Sequence, residues 1–146
     1  MTSGANVRHG RRPLHRDRSG QALVEFALVV PVLLLLIVGV IDLSRAWNAH
    51  QVITNTAREA LRSAVVDNPA YTQEVMKEQI DNQLKLASLD PSRAQIYFDG
   101  WRSGAGNPAT IELSYRFDFD ILGPLMEWAS GRRTVTLHSR FIMRNE

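Results

Sequence analysis

The stretch Arg18-Ser19-Gly20-Gln21-Ala22-Leu23-Val24-Glu25-Phe26-Ala27-Leu28 decides how the chain is to be read. It opens an apolar run that continues to Ile41 and carries one carboxylate, Glu25, near its head. A charged side chain in lipid costs ~2.5–3.5 kcal/mol on insertion scales, so an acid in such a place is normally retained for a function. From Phe26 to Ile41 there is no charged residue. With Ala22–Glu25 in front, the run reaches ~20 residues, the length that crosses ~30 Å of hydrocarbon. Pro31 lies inside it and is expected to kink the helix without ending it, since membrane helices tolerate the lost hydrogen bond.

Outward from this run, the N-terminal side is basic. Arg8, Arg11, Arg12, Arg16 and Arg18 face a single acid, Asp17. Residues 21–146 are mildly acidic, so the basic pI of 9.4 comes from the leader and argues for no nucleic-acid partner. Arginines ahead of an apolar span set its orientation, with the N-terminus inside and residues 42–146 outside the cytoplasmic membrane. Residues 1–19, poor in large apolar groups, are expected to be disordered. The chain has no cysteine, hence no disulfide framework and no thiolate chemistry.

The C-terminal side continues the helix. Leu43, Ala46, Trp47, Ile53, Ala57, Ala60, Leu61, Ala64 and Val65 recur at helical spacing, with Arg45, Asn48, Asn55, Glu59 and Arg62 opposite. Residues 22–66 then form one helix of ~65 Å at 1.5 Å per residue. Trp47 falls near the outer boundary of the membrane, where tryptophan is favoured. Asn68-Pro69 is expected to open a second helix, with Pro69 in the first turn, ending near Asp90-Pro91. Its apolar face is Val75, Met76, Ile80, Leu84 and Ala87.

Three strands are expected after it: Ala94–Asp99, Thr110–Ile121 and Thr134–Arg144. In the second, Ile111, Leu113, Tyr115, Phe117, Phe119 and Ile121 alternate with Thr110, Glu112, Ser114, Arg116, Asp118 and Asp120, the pattern of a half-buried antiparallel strand. The connector Leu122–Gly131 holds Leu125, Met126 and Trp128 and reads as a short helix begun by Pro124. The expected fold is α+β and pilin-like: a long N-terminal transmembrane helix continues into a small domain with a second helix and a three-stranded antiparallel sheet. The helix stripe covers the apolar sheet face. The divisions are a cleaved basic leader (1–20), the transmembrane part (21–41) and an extracytoplasmic domain (42–146).

Gly20 followed five residues on by Glu25, behind a basic leader, has the form of a prepilin processing signal. Further residues join it: Val30-Pro31-Val32-Leu33-Leu34, then Ile41-Asp42-Leu43-Ser44-Arg45-Ala46, then Asn55-Thr56-Ala57-Arg58-Glu59-Ala60 and Arg62. The string closely resembles the TadE-like family, pseudopilins of tight-adherence (Flp-type) pilus systems. The resemblance covers roughly residues 17–65, with Ser44 where glycine is expected; beyond that only the general plan and the closing Met-Arg-Asn-Glu match. It implies cleavage after Gly20 by a prepilin peptidase, leaving Gln21 as the new N-terminus and Glu25 as residue five. Glu25 would then pair with the α-amino group of a neighbouring subunit and set axial register. Cyclisation of Gln21 would remove that charge. The implied partners are the peptidase, other pilins and pseudopilins, the inner-membrane assembly platform and membrane lipid.

Three other readings are open. Glu25 could be an interfacial residue of an uncleaved single-pass anchor that carries an extracytoplasmic binding domain. A secretory signal peptide cut at Ser44-Arg45-Ala46 is a second, opposed by the long apolar run and the stripe that continues through the cut. An enzyme using Asp118 and Asp120 is the weakest. His50 and His138 are isolated, and no phosphate loop, nucleophile motif or metal-spaced cluster is present in the sequence, so no catalysis, metal or cofactor is expected. Trp101, Arg102 and Arg116 are the candidate partner contacts, the first two in a Gly-rich loop.

Overall fold

The computed structural model describes residues 18–66, 68 and 70–146, with side chains from Gly20 onward. The arginines of the leader up to Arg16, and Asp67 and Pro69 in the expected break, lie outside the described residues. Helix α1 runs Arg18–Val65 with Pro31 inside it. Residues up to Leu35 and residues from Leu36 onward form separate compact units. In the first, Leu23, Val24, Phe26, Leu28, Val32 and their neighbours are exposed.

The second unit is an α+β domain. It comprises the outer part of α1, α2 (Gln73–Leu86), a 3₁₀ turn at Pro91–Arg93, β1 (Ala94–Asp99), β2 (Pro108–Asp118), α3 (Gly123–Ser130) and β3 (Thr134–Arg144). The three strands form an antiparallel sheet in the order β1-β2-β3. Register aligns Phe98, Ile111 and Phe141 in one row and Ala94, Tyr115 and Leu137 in another. These side chains face the helices. On the opposite face Tyr97, Glu112 and Arg140 share a row, and Glu112 pairs with Arg140.

One core joins helices and sheet: Ile53, Ala57 and Leu61 from α1, Met76, Ile80 and Leu84 from α2, and Ile111, Leu113, Tyr115 and Phe117 from β2. The buried line on α1 is Ala46, Ala49, Ile53, Ala57, Ala60, Leu61, Ala64 and Val65, stepping by three or four residues as a helix face requires. Five of these are alanines, whose small side chains allow close approach of the helix backbone. Leu43 and Trp47, expected in this stripe, are instead about two-thirds exposed at 65% and 66%. The line passes through Asp42, which is fully buried.

Four expected boundaries are corrected: α2 stops at Leu86 and not near Asp90-Pro91, β2 starts at Pro108 and not at Thr110, and two others have a visible cause. Helix α2 begins at Gln73 and not at Asn68-Pro69, because Thr72 caps it: its side chain accepts the Val75 amide at 3.3 Å. Strand β2 ends at Asp118; Phe119 is half-buried, and Ile121 is exposed because the backbone leaves the sheet to reach α1. Gly100 has φ +69°, and a Cβ there would meet the Pro108 carbonyl oxygen at 2.2 Å, so only glycine fits the entry to the β1–β2 loop.

Candidate functional site: the membrane-proximal helix and its fasteners

Gly20 and Gln21 lie in the N-terminal part of α1 as described. Gly20 has open space around it, and Gln21 and Glu25 are exposed. Pro31 leaves α1 unbroken. The side chains that sequence reasoning passed over sit further along.

Asp42 is the first of them. Its Oδ2 accepts the backbone amides of Ile121 at 3.1 Å and Leu122 at 2.8 Å, and its Oδ1 accepts Arg45 Nη1 at 3.2 Å. Arg45 passes on to Asp120, with Nη2 2.6 Å from Oδ2. The guanidinium also stands over the Phe117 ring, 5.9 Å from its centroid. The hydrogen bond to Asp120 raises the Arg45 pKa above its ordinary value, assisted by charge attraction and opposed by partial burial. A buried carboxylate that accepts three donors has its desolvation cost offset. Here it ties the end of β2 to α1 immediately beyond the apolar run.

The Ala57-Arg58-Glu59-Ala60 turn divides its work among three elements. Ala57 and Ala60 are buried in the core. Arg58 stacks over the Phe141 ring of β3 at 5.0 Å, and Glu59 accepts Gln83 Nε2 of α2 at 3.1 Å.

At the far end of α1, Trp101 is half-buried and donates Nε1–H to the Ala64 carbonyl at 3.0 Å. The Glu146 amide donates to the Val65 carbonyl at 3.0 Å. Two carbonyls that the helix end leaves without intrahelical donors are thereby satisfied. Arg102 donates to the Asn68 and Tyr71 carbonyls at 2.6 and 3.3 Å and lies over the Trp101 ring. Asn145 is buried and its amide group donates to the Gly100 and Asn107 carbonyls at 3.0 and 3.1 Å, closing the β1–β2 loop. Arg116 is exposed on the polar sheet face.

Asp118 pairs with Arg93 at 2.9 Å and Asp120 with Arg45, so the two carboxylates of the enzyme reading each serve a separate ion pair. Among the described residues no group of three or more His, Asp or Glu is placed to hold a metal. His50 stacks against Trp47 with ring centroids 6.4 Å apart, and His138 is exposed.

The apolar run, the Asp42–Arg45 pair and the Ala-Arg-Glu-Ala turn fall in one continuous segment. Residues 20–62 match the family of TadE-like proteins. This segment of the chain is TadE-like. The match begins at the expected processing glycine and ends in the outer part of α1, so it takes in Asp42, Arg45 and the Ala57–Ala60 turn and stops short of Ala64 and Val65. Helix residues Gly20–Val65 are also long and apolar enough to cross a membrane. No curated protein and no solved structure matches the chain.

In the sequence Asp42 stands out only as part of the family string, and Arg45 reads in addition as a residue of the polar face of α1. The available signal was their spacing of three, which puts both on one side of a helix. What they hold is 80 residues away.

Proposed function

We propose that this protein is a minor pseudopilin of a Flp-type Tad pilus. It is anchored in the cytoplasmic membrane by residues 21–41, with the N-terminus inside and the α+β domain outside. A prepilin peptidase cuts after Gly20. Glu25 then meets the α-amino group of a neighbouring subunit and fixes axial register as helices pack against one another and the assembly platform. The protein works by packing and surface contact, without catalysis, and the exposed Arg116 is a candidate contact for other pilins.

The observation that carries the reading is the Gly20…Glu25 spacing at the head of an apolar helix inside a TadE-like match. The fasteners support it, because a subunit that assembles through its helix needs a domain that holds to that helix. Intact-mass analysis of membrane-extracted protein, from cells that contain the cognate peptidase, tests it. The expected mature chain starts at Gln21, cyclised or not. A chain starting at Trp47 would establish signal-peptide cleavage. An uncut chain would establish the plain single-pass anchor. A reporter active only outside the membrane, fused after Glu146, should be active; activity of a cytoplasmic-only reporter there would overturn the orientation.

A further inference from the structure

The α3 segment is the one apolar stretch that the reading above leaves without a role. It is an excursion between β2 and β3, closed at its base by the Phe119 amide on the Arg133 carbonyl at 3.3 Å. On a helix turning ~100° per residue, Leu125, Trp128 and Ala129 fall on one face and Glu127 on the other. That apolar face is not in the core. Trp128 is 85% exposed and Leu125 43%, and Ile121 just ahead of α3 is 51% exposed. A nearly bare tryptophan beside other exposed apolar groups marks an interaction surface.

Its position says with what. The Asp42 carboxylate holds the amides of Ile121 and Leu122, which lead directly into α3. The Leu122 side chain lies beside Gly39: its Cδ1 is 3.7 Å from where a Cβ on Gly39 would stand. The base of α3 is thus fixed level with residues 39–42, at the outer end of the apolar run. Exposed Ile41 and Leu43 continue the apolar surface on α1 at that level. Arg132, exposed just after α3, supplies a cation beside the patch.

We infer that α3 rests in the outer surface of the same bilayer that residues 21–41 cross. Ile121, Leu125 and Trp128 enter the headgroup–acyl boundary, and Arg132 reaches the lipid phosphates. This rests on residues 21–41 being a membrane span. Tryptophan is favoured at that depth, and arginine buries its stem while its charge stays at the interface. An amphipathic helix too short to bind a membrane by itself gains from being tethered there, since the anchor keeps its local concentration at the surface high.

The native chain has no cysteine, so single nitroxide labels can be placed on the full-length protein in phosphatidylcholine–phosphatidylglycerol vesicles. Three variants suffice: Ile37→Cys in the span, Trp128→Cys on α3, and Ala105→Cys in the exposed loop near the far end of α1. Relaxation by oxygen, which partitions into lipid, is compared with relaxation by a water-soluble nickel chelate. Oxygen should dominate at 37 and at 128, and nickel at 105, an inversion of the ratio between the two ends of the domain. Oxygen at 37 with nickel at 128 would overturn the seating of α3 and leave the span intact. Nickel at 37 would overturn both. A label at 128 shielded from both agents would mean that protein covers the patch, which also overturns the proposal.

Discussion

The carboxylate of Asp42 and the amide of Leu122 lie 80 residues apart in the chain and 2.8 Å apart in space. Removing that carboxylate leaves the amides of Ile121 and Leu122 without acceptors and Arg45 with one anion in place of two. Asp42→Ala should therefore destabilise the domain by about 3 kcal/mol, the range for orphaned buried donors that had a charged partner. Asp42→Asn, which keeps one acceptor oxygen, should lose less. Chemical melting of the full chain in detergent reads both, and equal stability of Asp42→Ala and the parent would mean that the fastener carries no weight.

Leu61 and Arg116 should behave as opposites. Leu61 is fully buried at the centre of the core, so Leu61→Asp puts an unpaired charge there, at a cost on the order of 4 kcal/mol against a domain stability of roughly 5–15. Arg116→Glu, on the exposed face, should melt within ~0.5 kcal/mol of the parent. Thermal melts of the two variants side by side test the packing of α1 on the sheet.

Stability should carry an acid-side signature from Asp90. Its carboxylate accepts the Ser92 amide at 2.9 Å at the start of the 3₁₀ turn, and the side-chain and backbone hydrogen bonds to Ser92 hold its pKa below the ordinary aspartate range, with Arg93 assisting. A folded value below the unfolded one means that the unfolded chain binds the proton first as pH falls. The contribution is complete above the ordinary aspartate range and is lost as pH drops through the lower, folded value. The melting difference between the parent and Asp90→Ala should accordingly shrink toward zero on acidification. A difference that persists unchanged at low pH would remove the carboxylate from the explanation.

Glu25→Ala should reach the membrane at parental levels or above, since a charge leaves the apolar run. Pili should nonetheless be lost. The measurement is pilus count normalised to membrane-protein level, and normal pili from the variant would leave Glu25 without an assembly role.

Regular alternation made the sheet readable. Strands β1 and β3 run Ala94–Asp99 and Thr134–Arg144, as expected, because each alternates apolar and polar residues between turn-forming neighbours. The same rule failed at the end of β2. Phe119 and Ile121 keep the alternation, but Asp42 draws the backbone there away from the sheet, and periodicity carries no information about a distant acceptor. The α2 start was misplaced for a local reason: the proline at 69 is a weaker signal than Thr72, which caps the helix with its own oxygen. Trp47 and Leu43 were assigned to the core because apolar type was read as burial, whereas on this helix apolar residues also face outward near the span. Trp101 and Arg102 lie in a polar, glycine-rich loop, and nothing in that composition indicates that both reach the backbone at the end of α1.

The fasteners on α1 also determine how the domain would bear force. One set sits at Asp42 and the other at Ala64 and Val65, about 33 Å apart along the helix at 1.5 Å per residue, with the alanine-lined core between them. Tension along the helix axis is shared between the two sets and the core that separates them. A force applied to the helix would reach the sheet through both places at once.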